Sequence, residues 1–159
     1  MLILDAQSVK NTDTAEEKWY DAWKKVSWIK RHIAVDTNGL PHAIYITTAN
    51  LTDREGVLQM FEWQTTKELC TEVETILVDG WYTGEKFAKS IQESIDARVE
   101  VVKRNELHTF TVLPKRWVVE RSFSWLEKSH RLWKNCERKL STSMHMAILA
   151  FAWLLLRRR

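Results

Sequence analysis

Apolar positions along the chain repeat with two periods, and the switch between them divides it into strands and helices. Met1–Asp5 (MLILD) is a short apolar run ending in an acid and predicts a buried strand. Residues 6–27 are polar without a clear period and read as a loop. Trp28 to Asp36 alternates, with Ile29, Ile33 and Val35 apolar. Asn38-Gly39 is then a hairpin signal, and Pro41 to Ala49 returns as a strand. Thr52-Asp53-Arg54-Glu55 is a capping box and predicts a helix from about Asp53 to Leu69. Thr75 to Asp79 is a second buried strand ending in an acid, and Gly80 breaks it. A helix over Gly84–Ser94, a strand over Arg98–Arg104 and a short extended piece at Thr109–Leu113 follow. Pro114 opens a helix predicted to reach about Asn135, with Val119, Phe123 and Leu126 facing inward. The last helix runs from about Thr142 to Arg158. Its unbroken apolar run, Ala147–Leu156, is far short of the roughly 20 residues a bilayer needs, so it reads as a buried terminal helix with no membrane partner. Strands alternating with helices after an opening hairpin predict a mixed α/β sheet flanked by helices.

Composition adds three constraints. The chain has 159 residues, 45% hydrophobic and 28% charged, which suits one folded domain over 1–159. Cys70 and Cys136 lack metal-ligand or disulfide-scaffold spacing. With an apolar start of only Met1–Leu4, they point to a cytoplasmic location. Charge is uneven: residues 1–80 carry 8 basic and 13 acidic side chains, and residues 81–159 carry 16 and 8. The second half would meet a polyanion more readily, although solvated basic helices give the same count.

Asp5 and Asp79 each close an apolar strand at its carboxyl end, where ligand sites of α/β sheets gather. If the strands are parallel neighbours, the carboxylates converge and repel unless protonated or bridged by a cation. Oxygen-only ligands select a hard ion, Mg²⁺ or Mn²⁺. Turn capping by each aspartate is the alternative. Glu120, in RWVVERSFSWLEK, sits beside Val118 and Val119 and reads as an acid near the core, or as an ion-pair partner of Arg116 at i−4. Glu127 has Arg131 at i+4 and reads as a solvated pair.

The segments LDAQSVKNT, KKVSWIKRHIAVDTNGLP, ANLTDREG, LVDGWYTGEKF and KRWVVERSFSWLEKSHRLWKN occur in this order. Together they resemble the catalytic region of bacterial insertion-sequence transposases with a DDE triad, over nearly the whole chain. The resemblance implies an RNase H-like fold and metal-dependent DNA cleavage and strand transfer. It places the two aspartates on Asp5 and Asp79, 74 residues apart, and the glutamate on Glu120, a further 41 on. Of the family signature Y-x2-R-x3-E-x6-K, Arg116 and Glu120 match the central part. Leu113 takes the tyrosine position and Glu127 the lysine position, with Lys128 one residue late.

The implied cofactor is a pair of Mg²⁺ or Mn²⁺ ions held by Asp5, Asp79 and Glu120. The implied partner is double-stranded DNA, with Arg116, Arg121 and Lys128 on its backbone and a second copy of the chain at synapsis. Family members usually carry a helical end-recognition region before the first catalytic strand, so a separate N-terminal DNA-binding polypeptide is a further implied partner. Two other readings stand beside this one. An inactive truncated copy would share the motifs. A non-catalytic nucleic-acid-binding module would use Trp19, Tyr20, Trp23 and Trp28, interleaved with Lys18, Lys24, Lys25, Lys30 and Arg31, as a stacking platform.

Glycine is scarce, 4 residues against an average of about 7%, whereas tryptophan is abundant at 9. Trp19, Trp23, Trp28 and Trp81 stand where the resembled family usually has glycine. A tryptophan at 81, directly after Gly80, is expected to crowd the cleft beside Asp79. One shared cause is a UGA codon read as glycine in the source and rendered here as tryptophan. It predicts UGA at codons 19, 23, 28 and 81 and UGG at 117, 125 and 133. Sequencing the gene checks this, and UGG at all four positions removes the shared cause.

Overall fold

The computed structural model describes residues 1–17, 19–21, 26–102 and 116–157. Its elements are β1 (Leu2–Lys10), β2 (Trp19–Asp21), β3 (Val26–Val35), β4 (Pro41–Thr48), α1 (Asp53–Glu62), α2 (Gln64–Leu69), β5 (Thr75–Asp79), α3 (Glu85–Ile95), β6 (Arg98–Val102), α4 (Arg116–Glu127) and α5 (Leu140–Leu156), with a single 3-10 turn at Gly80–Tyr82. The sheet order is β2-β3-β1-β5-β6, and β4 also pairs with β3. β3 runs antiparallel to β1, β2 and β4, whereas β5 is parallel to β1 and β6 parallel to β5. This mixed sheet flanked by helices is an RNase H-like α/β fold.

Both faces of the sheet are covered. Leu2, Leu4, Ala34, Ile76 and Val78 pack with Val57, Met60 and Phe61 of α1 and Phe87 and Ile91 of α3. Ile3, Ile29, Ile33, Val35 and Ile44 pack with Val118, Val119, Phe123 and Leu126 of α4 and Met144, Ala147 and Phe151 of α5. Alternation along β1, β3 and β5 therefore divides one core between two faces rather than one face and solvent. It also puts Arg31 and His32, neighbours in β3, on opposite faces with both fully buried.

Four elements differ from their sequence patterns. β1 continues to Lys10 because β3 pairs with it as far as Lys10–Trp28, and β2 falls inside the expected loop. The helix expected over Asp53–Leu69 breaks at Trp63, whose extended backbone brings its ring edge-on to Tyr45, with centroids 5.9 Å apart. α4 stops at Glu127. Beyond it the Ser129 amide donates to Leu126, the Leu132 amide donates to Ser129, and the Asn135 amide reaches the Lys10 carbonyl at 2.8 Å. Burying Leu132 and Asn135 against the end of β1 takes the chain out of the helix. α5 is buried along one face only: Leu149, Trp153 and Leu156 are exposed. The Thr109–Leu113 piece, Pro114 and the platform residues Lys18, Trp23, Lys24 and Lys25 lie outside the described residues. Among the described residues, no helix is long and apolar enough to cross a membrane.

The capping box forms as expected. Thr52 Oγ1 accepts from the Glu55 amide at 3.2 Å, and Glu55 Oε2 accepts from the Thr52 amide at 2.8 Å. These bonds hold the Glu55 carboxyl below its usual range and fix where α1 starts. Once α1 starts there, Gly56 lies directly on His32, and a Cβ at Gly56 would fall 2.2 Å from His32 Nε2. Gly56→Ala is therefore expected to destabilise the fold by about 3 kcal/mol, the upper end for overpacking. Adding His32→Ala should recover much of that loss, because the two sites share one contact. Urea unfolding of the two single variants and the double variant measures the coupling.

Candidate active site

Asp5 and Asp79 are brought together by the parallel pairing of β1 and β5. The paired register is Leu2 with Ile76 and Ile3 with Leu77. Two residues further along each strand the side chains return to the same face. Asp5 and Asp79 thus both stand on the α4 side, just past the end of the ladder. Asp5 Oδ1 accepts from the Ala6 amide and Asp79 Oδ1 from the Trp81 amide, both at 2.8 Å. With Ile3, Leu77, Val102 and Val119 they line a cleft of about 10 Å³, room for about one water.

Glu120 follows Val119, a lining residue of this cleft, on α4. Val118 and Val119 take the inward positions at the start of α4, which turns the next residue outward, so Glu120 is exposed rather than near the core. Among the described residues, no three acidic, histidine or cysteine side chains stand close enough to hold one ion. The cleft thus holds two of the three expected acids, and the third sits one residue from its wall.

The expected DNA-backbone cations are placed differently from one another. Arg121 is engaged inside the fold: its guanidinium lies 4.5 Å from the Trp117 ring centroid and 4.8 Å from that of Trp125, and Nη2 donates to the Asn38 carbonyl at 2.9 Å. Lys128 is exposed just past the end of α4. Arg116 is the first residue of α4, and its side chain lies outside the described set. Glu127 does not pair with Arg131. Its Oε1 accepts from Gln7 Nε2 at 2.6 Å, and Arg131 instead pairs with Glu137 at 2.7 Å. The early end of α4 causes the exchange, since i+4 proximity requires a continuous helix.

The crowding expected at Trp81 is absent. Its side chain is 80% exposed and is not part of the cleft wall. Left-handed backbone in this turn region occurs at Gly84, not at Gly80 or Trp81.

The family model for the transposase DDE domain matches residues 1–155. The chain belongs to the transposase DDE domain family. A stretch of 127 residues, 76% of this chain, is 28% identical to a Burkholderia cepacia protein named "Putative transposase for insertion sequence element IS402". That stretch spans 58% of the Burkholderia protein, so this DDE domain corresponds to a little over half of that relative.

Three residues near the Asp5–Asp79 cleft take roles that the sequence patterns did not assign. Tyr82 is 2% exposed, and its hydroxyl has no hydrogen-bond partner among the described residues. Burial first, then the charges of Asp5, Asp53 and Asp79, raise its pKa, which places the phenol among three acids. Lys30 Nζ meets Asp53 Oδ1 at 2.9 Å and donates to the Leu51 carbonyl at 2.8 Å. Arg54 Nε donates to the Trp81 carbonyl at 2.9 Å, joining the start of α1 to the turn after Asp79. The available signal was the Lys30-Arg31-His32 run of basic side chains set between the apolar residues of β3.

His32 shares the α1 face with Lys30 and bonds Thr47 Oγ1 through Nε2 at 2.9 Å. Burial pushes its pKa from 6.5 down to about 4, with Asp53 opposing that shift and Lys30 adding to it. Between these two values the unfolded chain binds a proton that the fold refuses. Stability contributed by neutral His32 is therefore complete above about pH 6.5 and lost as pH falls toward 4, by up to about 3 kcal/mol. In urea titrations across this window, His32→Gln should show a flatter pH dependence than the parent. Parallel curves would show that His32 does not carry the effect.

Proposed function

We propose that this chain is the catalytic core of an insertion-sequence transposase, cleaving DNA phosphodiesters and joining strands at the Asp5–Asp79 cleft. The supporting observation is that those two carboxylates line one cleft beyond the end of the β1–β5 ladder, with Val119, the residue before Glu120, in its wall. Like charges that share a cleft are stabilised by a bound cation, and an all-oxygen donor set suits Mg²⁺ or Mn²⁺. Asp5 and Asp79 would hold the metal, with Glu120 completing the set from α4. When bound, two such ions lower the pKa of an attacking hydroxyl and neutralise the leaving oxygen.

The remaining work falls to the chain itself. Backbone amides at Ala6 and Trp81 orient the two aspartates. The Arg54 contact to the Trp81 carbonyl fixes the turn that follows Asp79. Val119 and Val102 form an apolar wall that limits water in the cleft. Double-stranded DNA is the proposed substrate, and a second copy of the chain is proposed to join at synapsis.

Asp5→Asn, Asp79→Asn and Glu120→Gln should each lower Mg²⁺-dependent cleavage of duplexes bearing the element's ends by at least about a hundredfold, a typical cost of losing one transition-state-stabilising group. DNA affinity should change little. Cleavage by gel assay, affinity by fluorescence anisotropy and folding by circular dichroism separate the readings. Full cleavage by folded Asp5→Asn would overturn the assignment, and binding without cleavage by the parent would favour an inactive copy or a binding module.

A further inference from the structure

A groove beyond the carboxylate cleft holds a buried cation with unused donors. Arg31 sits in β3 opposite Gln7 of β1 and is completely buried. Its Nη1 donates to the Leu132 carbonyl at 2.7 Å, whereas Nε and Nη2 have no partner among the described residues. Leaving donors of a buried charged group unsatisfied is costly. Arg31 lines a groove of about 290 Å³ together with Lys10, Lys134, Trp133, Ser8 and Glu127. Lys134 Nζ lies 4.5 Å from the centroid of the Trp133 ring, which is itself 62% exposed. Among the described residues Glu127 is the one acid lining the groove, against three cations. Its carboxylate is engaged by Gln7. Burial lowers the Arg31 pKa to about 10, so the side chain is still charged at neutral pH.

We infer that this groove binds a backbone phosphate of the DNA, with Lys10 and Lys134 meeting it at the surface and Arg31 supplying the unused donors behind them. The inference rests on the proposed DNA substrate and adds where that DNA lies. Asp5 and Lys10 are five residues apart on one strand, about 16 Å. That is the axial rise of roughly five base pairs; the odd spacing puts the Asp5 and Lys10 side chains on opposite faces of the sheet, and it is Arg31, opposite Gln7, that shares the face of Asp5. Arg121, engaged between its two tryptophans, leaves this path to other cations. Phosphate contacts of this kind position DNA without reading its sequence.

The test compares Lys10→Gln/Lys134→Gln with a charge-matched control, Lys67→Gln/Lys86→Gln, whose positions lie on α2 and α3. Binding of a 30-base-pair duplex is measured by anisotropy at several salt concentrations. Each lost phosphate contact should reduce the slope of log affinity against log salt by about 0.9. The groove variant should therefore lose up to about 1.8 from the slope, and the control much less. In cleavage assays the groove variant should raise KM with little change in kcat. Arg31→Met serves as a third arm where it folds, and the lysine pair decides the question where it does not. Equal slopes for groove and control variants, with cleavage intact, would overturn the groove and leave the catalytic reading standing. Failure of the parent to bind duplex DNA at low salt would overturn both.

Discussion

The site depends on the unequal lengths of the two ladders that hold β1. On one edge β3 pairs with β1 from Ile3 to Lys10; on the other, β5 pairs only at Leu2 and Ile3. The long ladder keeps β1 extended through polar residues that would not hold a strand by themselves. The short ladder ends just before Asp5 and Asp79, so the carboxylates stand where the sheet stops being continuous. Asn135 closes the far end by donating to Lys10 and accepting from Thr12. The cleft and the groove both lie along the stretch between these two closures. Lengthening the β5 ladder by two residues would replace the cleft with ordinary sheet.

Covering both faces of the sheet has an energetic cost at β3. Arg31 and His32 are adjacent, point to opposite faces and are fully buried. An apolar pair would fill these positions with no desolvation cost, which for groups left without partners is about 1–3 kcal/mol each and more when charged. The His32 cost is limited because the ring is neutral and shares a bond with Thr47. Gly56 leaves the space for it, since any side chain there would displace the ring. Arg31 does not neutralise at ordinary pH, and its Nε and Nη2 have no partner among the described residues. The buried arginine is therefore the less easily explained of the two on stability grounds, with the Glu127 charge offsetting only part of its desolvation.

Much of the architecture was legible from period alone, and the failures share a cause. β5, the capping box, β4 and the inward face of α4 followed from local patterns because local chemistry decides them. The second half of β1 did not, because Gln7, Ser8 and Lys10 are held by a partner strand remote in sequence. The end of α4 was misread because tertiary contacts to Leu132 and Asn135 outweigh continued helix. At the site, Asp5 and Asp79 were legible because a strand-ending acid is a local signal. Glu120 was read from its apolar neighbours as an acid near the core, a reading its outward position on α4 corrects. Tyr82 gave no signal, and Arg31 was read only as a cation of a surface platform, because the burial that leaves their donors unpaired is set by the packed fold.

The electrostatics of the two sites require the separation that β1 provides. Two unit charges 4 Å apart interact by about 4 kcal/mol at an effective dielectric of 20. A DNA phosphate entering the bare carboxylate cleft would meet repulsion of this order, so the cleft attracts the backbone only once cations are bound there. Attraction that brings DNA to the protein must therefore come from elsewhere. Lys10, at the surface of the groove, lies about 16 Å from Asp5 along the strand, twice the Debye length of about 8 Å at physiological salt, so the acids scarcely weaken its pull. Arg31, opposite Gln7, lies only two residues from Asp5 along β1 and feels the acids more strongly. A strand that runs five residues past Asp5 therefore carries the groove's surface charge away from the field of the two acids.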